Sequence, residues 1–254
     1  MSDEPRFDGR VALVTGAGRG LGRAYAEMLA AHGAKVVVND IDHDAAHETA
    51  SELRVAVVIA DVSTEEGARS VVAQAGPFDV VIANAGVSWH RTFADMTTDE
   101  FDDALRHNLS STFHIVRAAW PQMVARRYGR IVTTASGGIF GIDGRAHYVA
   151  AKGAVWALTK TLAIEGEPHG IQVNCVLPWG ATRMARQGST PPPPGDAAAA
   201  VAWLCHEQCS ITGDAFTVGG GRIARVVLER GRALDADPSR IAAQRAAFTR
   251  LMTD

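Results

Sequence analysis

Apolar runs of four to eight residues recur along the chain, each closed by a turn residue and most followed by a helical pattern. RVALVT at 10–15 runs into glycines, KVVVN at 35–39 into Asp40, RVAVVIA at 54–60 into Asp61, and FDVVIA at 78–83 into Asn84. RIVTTA at 130–135 leads to Ser136, GIQVNCVL at 170–177 to Pro178, and AFTV at 215–218 to Gly219. Strands apolar on both faces are buried on both faces. Short connections to intervening helices mean right-handed crossovers and a parallel sheet with helices on both sides. The expected fold is α/β, a doubly wound, seven-stranded parallel sheet. It forms one domain over 1–254, with a core at about 8–221 and a C-terminal extension over 222–254.

On such sheets ligands lie at the carboxyl ends of the strands, where Gly16, Asp40, Asp61 and Asn84 all fall. The first turn reads Thr15-Gly16-Ala17-Gly18-Arg19-Gly20-Leu21-Gly22. Glycines there let the backbone approach a pyrophosphate, which meets the positive N-terminus of the next helix. A tight strand-to-helix turn would also use glycines. The position between a strand and a helix favours a dinucleotide site, and so a Rossmann-type unit. Asp40 lies 20 residues after Gly20. A carboxylate there accepts from the ribose hydroxyls and repels a 2′-phosphate, which selects NAD. Two readings compete with it: Asp40 as cap of the helical stretch 42–53, and Arg19 as partner of a 2′-phosphate. Position 41 is Ile, so no second cation supports the latter.

Tyr148 and Lys152 are four apart on a predicted helix at 147–165 and share one face. An ammonium near a phenol stabilises phenolate, lowering its pKa from about 10 toward the range useful for acid/base catalysis. The pair alone is common on any helix surface. Ser136 stands where the fifth strand ends. Asn108 sits within a helical pattern over 99–126, where asparagine is a poor resident. It is either a tolerated polar residue or a break between two helices.

With 47% hydrophobic and 21% charged residues and a formal charge of -3, the composition is that of a globular protein, and nothing in it points to nucleic acid. No run is long enough to span a membrane, and the start, MSDEPRFDGR, lacks an apolar signal core. Cys175, Cys205 and Cys209 are too few for a disulfide framework and fit a reducing cytoplasm. His43 and His47 are four apart without a third ligand, so no metal is expected. The prolines at 191–194 read as a stiff spacer. Past Gly221 come an alternating stretch at 223–229 and a helical stripe of Ile241, Phe248 and Met252.

Together these residues resemble the short-chain dehydrogenase/reductase family over nearly the whole chain. The motifs occur in the family's order: TGAGRGLG at 15–22, DV at 61–62, NAG at 84–86, Asn108, Ser136, YVAAK at 148–152 and Pro178. The resemblance implies an oxidoreductase with Tyr148 as acid/base and Ser136 bonded to the reacting oxygen. Lys152 would lower the pKa of Tyr148 and hold the nicotinamide ribose, and Asn108 would hold a water that links Lys152 to solvent. The NAD site would comprise Thr15, Gly16, Gly18, Arg19, Gly20, Leu21, Gly22, Asp40, Asp61, Val62, Asn84, Ala85, Gly86, Tyr148, Lys152 and Pro178, with Thr182 on the carboxamide. Two features depart from the family pattern. The loop between Ser136 and Tyr148 is one residue short, and Trp179 stands where a glycine is usual.

A substrate pocket is expected between Trp89 and His90, Phe140 and Ile142, and Trp179 and Met184. Large apolar walls suit a secondary alcohol or ketone on an apolar body. The glycine turn, the VVVND segment and the tail are most similar to one branch of the family. That puts a hydroxyacyl thioester ahead of a steroid. The alternatives are an NADPH-dependent 3-oxoacyl carrier-protein reductase and a non-catalytic dinucleotide-binding regulator. The apolar helices predict a homo-oligomer, a tetramer or else a dimer.

Overall fold

The computed structural model describes residues 5–180 and 190–228. The apolar runs become β1 Val11–Thr15, β2 Lys35–Asp40, β3 Ala56–Ile59, β4 Val80–Ala83, β5 Gly129–Thr134, β6 Ile171–Pro178 and β7 Ala215–Gly219. Between them lie α1 Gly20–Ala31, α2 His43–Leu53, α3 Glu65–Ala75, α4 Thr98–Leu105, α5 Ser111–Arg126, α6 Ala146–Gly166 and α7 Gly195–Cys205. The strand order is β3-β2-β1-β4-β5-β6-β7, all parallel. The order reverses between β1 and β4, which opens a crevice at their carboxyl ends.

An eighth strand, β8 Arg222–Val226, adds antiparallel to β7 and corrects the expected seven. Gly220 and Gly221 turn the chain with φ of +60° and +68°. Two successive positive φ values suit a tight hairpin and demand glycine. The alternation at 223–229 is thus partly an edge strand. Thr182, Met184 and the stripe at 241–252 lie outside the described residues.

Successive strand residues point to opposite faces, and both faces are covered. Ala12, Val14, Val36, Val38, Val80 and Ile82 pack with α1, α2 and α7. Leu13, Val37, Val81, Ala83 and Ile131 pack with α3, α5 and α6. Each fully buried Val, Leu or Ile contributes about 1.5–3 kcal/mol, so the two cores fix the sheet rigidly. All three cysteines are buried and unpaired.

Local signals set the helix ends. Asp42, not Asp40, caps α2: its side chain accepts the Ala45 N–H at 3.1 Å. Arg54 ends that helix with a left-handed φ of 56°, so β3 starts at Ala56, two residues later than its apolar run. A reciprocal capping box starts α4, with Glu100 N donating to Thr97 Oγ1 at 3.2 Å and Thr97 N donating to Glu100 Oε2 at 3.0 Å. The helical stretch 99–126 is broken by a π-helical turn at Arg106–Ser110, which carries Asn108. Among the described residues, no helix is long and apolar enough to cross a membrane.

Candidate active site

Thr15 closes β1, and its Oγ1 accepts the backbone N–H groups of Asn84 and Ala85, each at 3.1 Å. Asn84 Nδ2 donates back to the carbonyls of Thr15 and Gly16 at 3.1 and 3.3 Å. The end of β4 and the first turn are therefore one unit. A Cβ at Gly22 would lie 2.2 Å from the Gly16 carbonyl oxygen. Only glycine lets α1 begin this close beneath the turn. The first turn of α1 carries no acidic residue and no side-chain cap. Its first N–H groups are thus left for an incoming anion, as a pyrophosphate site requires.

Both Asp40 oxygens are engaged by backbone: Oδ2 accepts Gly18 N at 2.9 Å and Oδ1 accepts Asp42 N at 3.0 Å. A carboxylate oxygen has lone pairs to spare, so both can still accept a ribose hydroxyl. The guanidinium of Arg19 is held by Asp42. Asp61 follows β3, and its side chain accepts Ser63 N at 2.9 Å. Burial pushes its carboxyl up, but the Ser63 bonds and nearby His107 and Arg106 hold it below the usual range. Asn39, which the sequence did not single out, ties this edge together. Its Nδ2 donates to the carbonyls of Val58 and Ala60 at 3.0 and 3.1 Å.

The second half of the site forms where β5 meets α6. Ser136 is extended at φ -157°, and its Oγ accepts Gly138 N at 3.0 Å. The same hydroxyl shares a hydrogen bond with the Tyr148 side chain. Tyr148 is 8% exposed and Lys152 3%. Lys152 Nζ donates to the Thr134 carbonyl at 2.8 Å and lies 5.9 Å from the Tyr148 ring centroid. Burial drives the lysine pKa down to about 8.

The phenol differs from the sequence expectation. Burial pushes its pKa above the ordinary value, and the opposing pull comes from Ser136 and from the charge of Arg145, not from Lys152. Spacing alone put Tyr148 and Lys152 on one face. It could not show that the ammonium would point at a strand carbonyl and be desolvated itself.

Asn108 is fully buried. Its Nδ2 donates to the carbonyls of Val87 and Ala104 at 3.0 and 2.9 Å, and its Oδ1 accepts Val87 N at 3.2 Å. The Asn108 side chain is thus a clamp on the loop after β4. A Cβ at Gly86 would lie 2.5 Å from Asn108 Oδ1 and 3.3 Å from Lys152 Nζ. Gly86 therefore lets Asn108, Lys152 and the post-β4 loop converge.

The expected substrate residues are scattered. Ile142 folds back so that its Cδ1 would be 2.8 Å from a Cβ at Gly138, beside Ser136. Phe140 is 71% exposed. The Trp179 ring lies over Gly220, with Pro192 on the same turn. Trp89 packs its ring 4.5 Å from that of His147, and His90 sits against Gly144. His147 and Arg145 were missed because no motif marks them; only their neighbour Tyr148 drew attention.

Comparison with known proteins places this geometry. The family model for short chain dehydrogenase matches residues 10–191. A short-chain type dehydrogenase/reductase of Mycobacterium tuberculosis is 38% identical over 92% of this chain and 91% of its own length. The peroxisomal multifunctional enzyme type 2 of Mus musculus is 39% identical over 91% of this chain, which spans 34% of that enzyme. The crystal structure of a short chain dehydrogenase from Mycobacterium avium matches with a TM-score of 0.83 and 31% identity, over 96% of this chain and 95% of that one. The chain belongs to the short-chain dehydrogenase/reductase family of nicotinamide-dependent oxidoreductases.

Proposed function

We propose that the protein interconverts a secondary alcohol and a ketone carried on an apolar body, with NAD as the redox partner. The observation that carries this reading is the convergence of Ser136, Tyr148 and Lys152 beside Gly86, at the sheet edge that also holds the uncapped α1 N-terminus. NAD over NADP is supported by Asp40 beneath Gly18 and by the pairing of Arg19 with Asp42.

Residues Thr15–Gly22, Asp40, Asp61, Val62, Asn84–Gly86 and Pro178 would hold the dinucleotide. The nicotinamide, when bound, supplies the hydride acceptor for oxidation and the donor for reduction. In oxidation Tyr148 takes the hydroxyl proton at its phenol oxygen; in reduction it returns a proton to the carbonyl oxygen. Ser136 holds that oxygen and stabilises its developing charge. Lys152, anchored on Thr134, carries the nearby positive charge and would hold the ribose. Asn108 fixes the loop against which the substrate lies.

The substrate class rests on Ile142 beside Ser136, on Trp89 packed against His147, and on the similarity to the multifunctional enzyme. A hydroxyacyl thioester ranks first and a steroid-like alcohol second. A panel of hydroxyacyl thioesters, alicyclic alcohols and polyols, assayed for NADH and NADPH formation, tests all of this. Turnover of a polyol far above any apolar alcohol would overturn the substrate class. Preference for NADPH would overturn the role of Asp40 and favour the carrier-protein reductase reading.

A further inference from the structure

We propose that His147 is a positioning residue: its buried ring is the seat on which Trp89 rests, and that contact fixes the substrate-side loop beside Tyr148. The inference rests on the reading of Tyr148 as the acid/base given above. His147 is the residue just before Tyr148, and it is fully buried. Among the described residues, neither of its ring nitrogens has a hydrogen-bond partner. The aromatic ring packed against it is Trp89, with centroids 4.5 Å apart and planes tilted by 48°.

The contact is one of several that join the same two segments. Arg91 N donates to the Gly144 carbonyl at 2.7 Å, and an Arg145 guanidinium nitrogen donates to Ser88 Oγ at 3.2 Å. His90 packs so closely on Gly144 that a Cβ there would lie 2.2 Å from Nε2. Arg91 is tied in turn to Glu100 on α4 at 2.7 Å. The loop at 87–91 begins where Asn108 clamps Val87, next to the cofactor edge, and ends on the first residues of the catalytic helix. Aromatic walls of this kind set the position of a substrate rather than its chemistry. Displacing Trp89 therefore changes substrate binding more than proton transfer.

The test uses the full chain and the best substrate of the panel. KM, kcat, NADH affinity and melting temperature are measured for His147→Ala, His147→Phe, His147→Asn, Trp89→Ala and the His147→Ala/Trp89→Ala pair. His147→Ala is expected to raise KM roughly three- to tenfold, the value of one aromatic contact, with NADH affinity unchanged. Trp89→Ala should do the same, the pair should be no worse than either alone, and His147→Phe should restore KM where His147→Asn does not. An unchanged KM in His147→Ala, additive losses in the pair, or rescue by Asn but not by Phe overturns the proposal. Where His147→Ala does not fold, His147→Leu is read in its place. A second readout needs no turnover: the emission of Trp89, obtained by subtracting the Trp89→Phe spectrum, should shift to the red when His147 is replaced by Ala. An unshifted Trp89 emission overturns the seat. A shifted emission in a protein that oxidises nothing in the panel leaves the seat intact and removes the proposed activity.

Discussion

Asp40 accepts the backbone N–H of Gly18 through one carboxylate oxygen at 2.9 Å, and this fixes the acid under the glycine turn. A Cβ at Gly18 would lie 2.9 Å from that same oxygen, so the approach is open only to glycine. With Asp42 capping α2, Asp40 is not consumed by the helix. Its carboxylate therefore stays available to a hydroxyl donor, which the proposed NAD site would supply.

The first prediction follows. Ile41 is 64% exposed and can be replaced by a long cation without repacking. Asp40→Ala combined with Ile41→Arg should shift the NADP-to-NAD preference by about a hundredfold, the effect of removing one repulsion and adding one charged contact. Ratios of kcat/KM for the two dinucleotides measure it. A wild-type protein that binds NADPH more tightly than NADH would refute the assignment.

Tyr148→Phe retains the buried ring and removes the proposed proton acceptor. Turnover should fall by at least about a hundredfold, while NADH affinity stays within error. Titration of bound NADH fluorescence alongside single-turnover rates separates the two effects. Substantial activity in the Phe variant would remove Tyr148 from the mechanism.

Lys152 supplies a stability test with a definite sign. Its pKa in the folded chain is about 8, against 10.5 for a lysine open to water, because burial penalises the charged form. The unfolded chain binds more protons between those values, so this group's contribution raises stability as pH climbs from about 8 to 10.5. Below that window the buried charge costs about 3 kcal/mol. Lys152→Met should therefore melt at a higher temperature than the wild type at neutral pH, and the advantage should shrink as pH rises through the window. Thermal unfolding at several pH values reads this directly, and a Met variant less stable at neutral pH would contradict it. The same variant should lose activity, the trade expected where a functional charge is held in a dry site.

Much of this was legible in the sequence, and the rest was hidden for identifiable reasons. The seven parallel strands could be read because apolar runs ending in Gly16, Asp40, Asp61 and Asn84 have few other uses. The eighth strand was hidden because its five residues are mostly exposed, so its alternation reads as a tail until Gly220 and Gly221 are seen to turn the chain. Asn108 was visible as an awkward helical residue, yet its π turn and its grip on Val87 depend on tertiary contact. The Tyr148–Lys152 spacing was right about the shared face. The distance of Nζ from the ring and the depth of burial are set by β5, which is remote in sequence. His147 carried no signal because a histidine beside a motif looks the same whether it faces water or a tryptophan.

The last prediction concerns assembly. A groove of about 730 Å³ lies between α3, α5 and α6, lined by Val72, Phe113, Trp120 and Leu162 with Arg69 and Glu165 at its margin. Phe113 is 43% exposed, and Ile164 on α6 is 73% exposed. Scattered apolar residues are ordinary on a surface, but a lined groove flanked by two large exposed side chains is the kind of face that a second chain covers. Two antiparallel copies of α5 and α6 about a two-fold axis would bring Phe113 and Ile164 against their own counterparts and close the groove on both sides. We expect a dimer through this face, and a tetramer if the β8 edge with its exposed Ile223 pairs as well. Phe113→Asp with Ile164→Glu should break the first contact while leaving the Ser136–Tyr148 site, on the other end of α6, chemically intact. Light scattering of the wild type at micromolar concentration should give a multiple of the 26.9 kDa chain mass, and the double variant should give a smaller one. A wild type that scatters as a monomer refutes the whole expectation; a double variant of unchanged mass moves the interface away from α5 and α6.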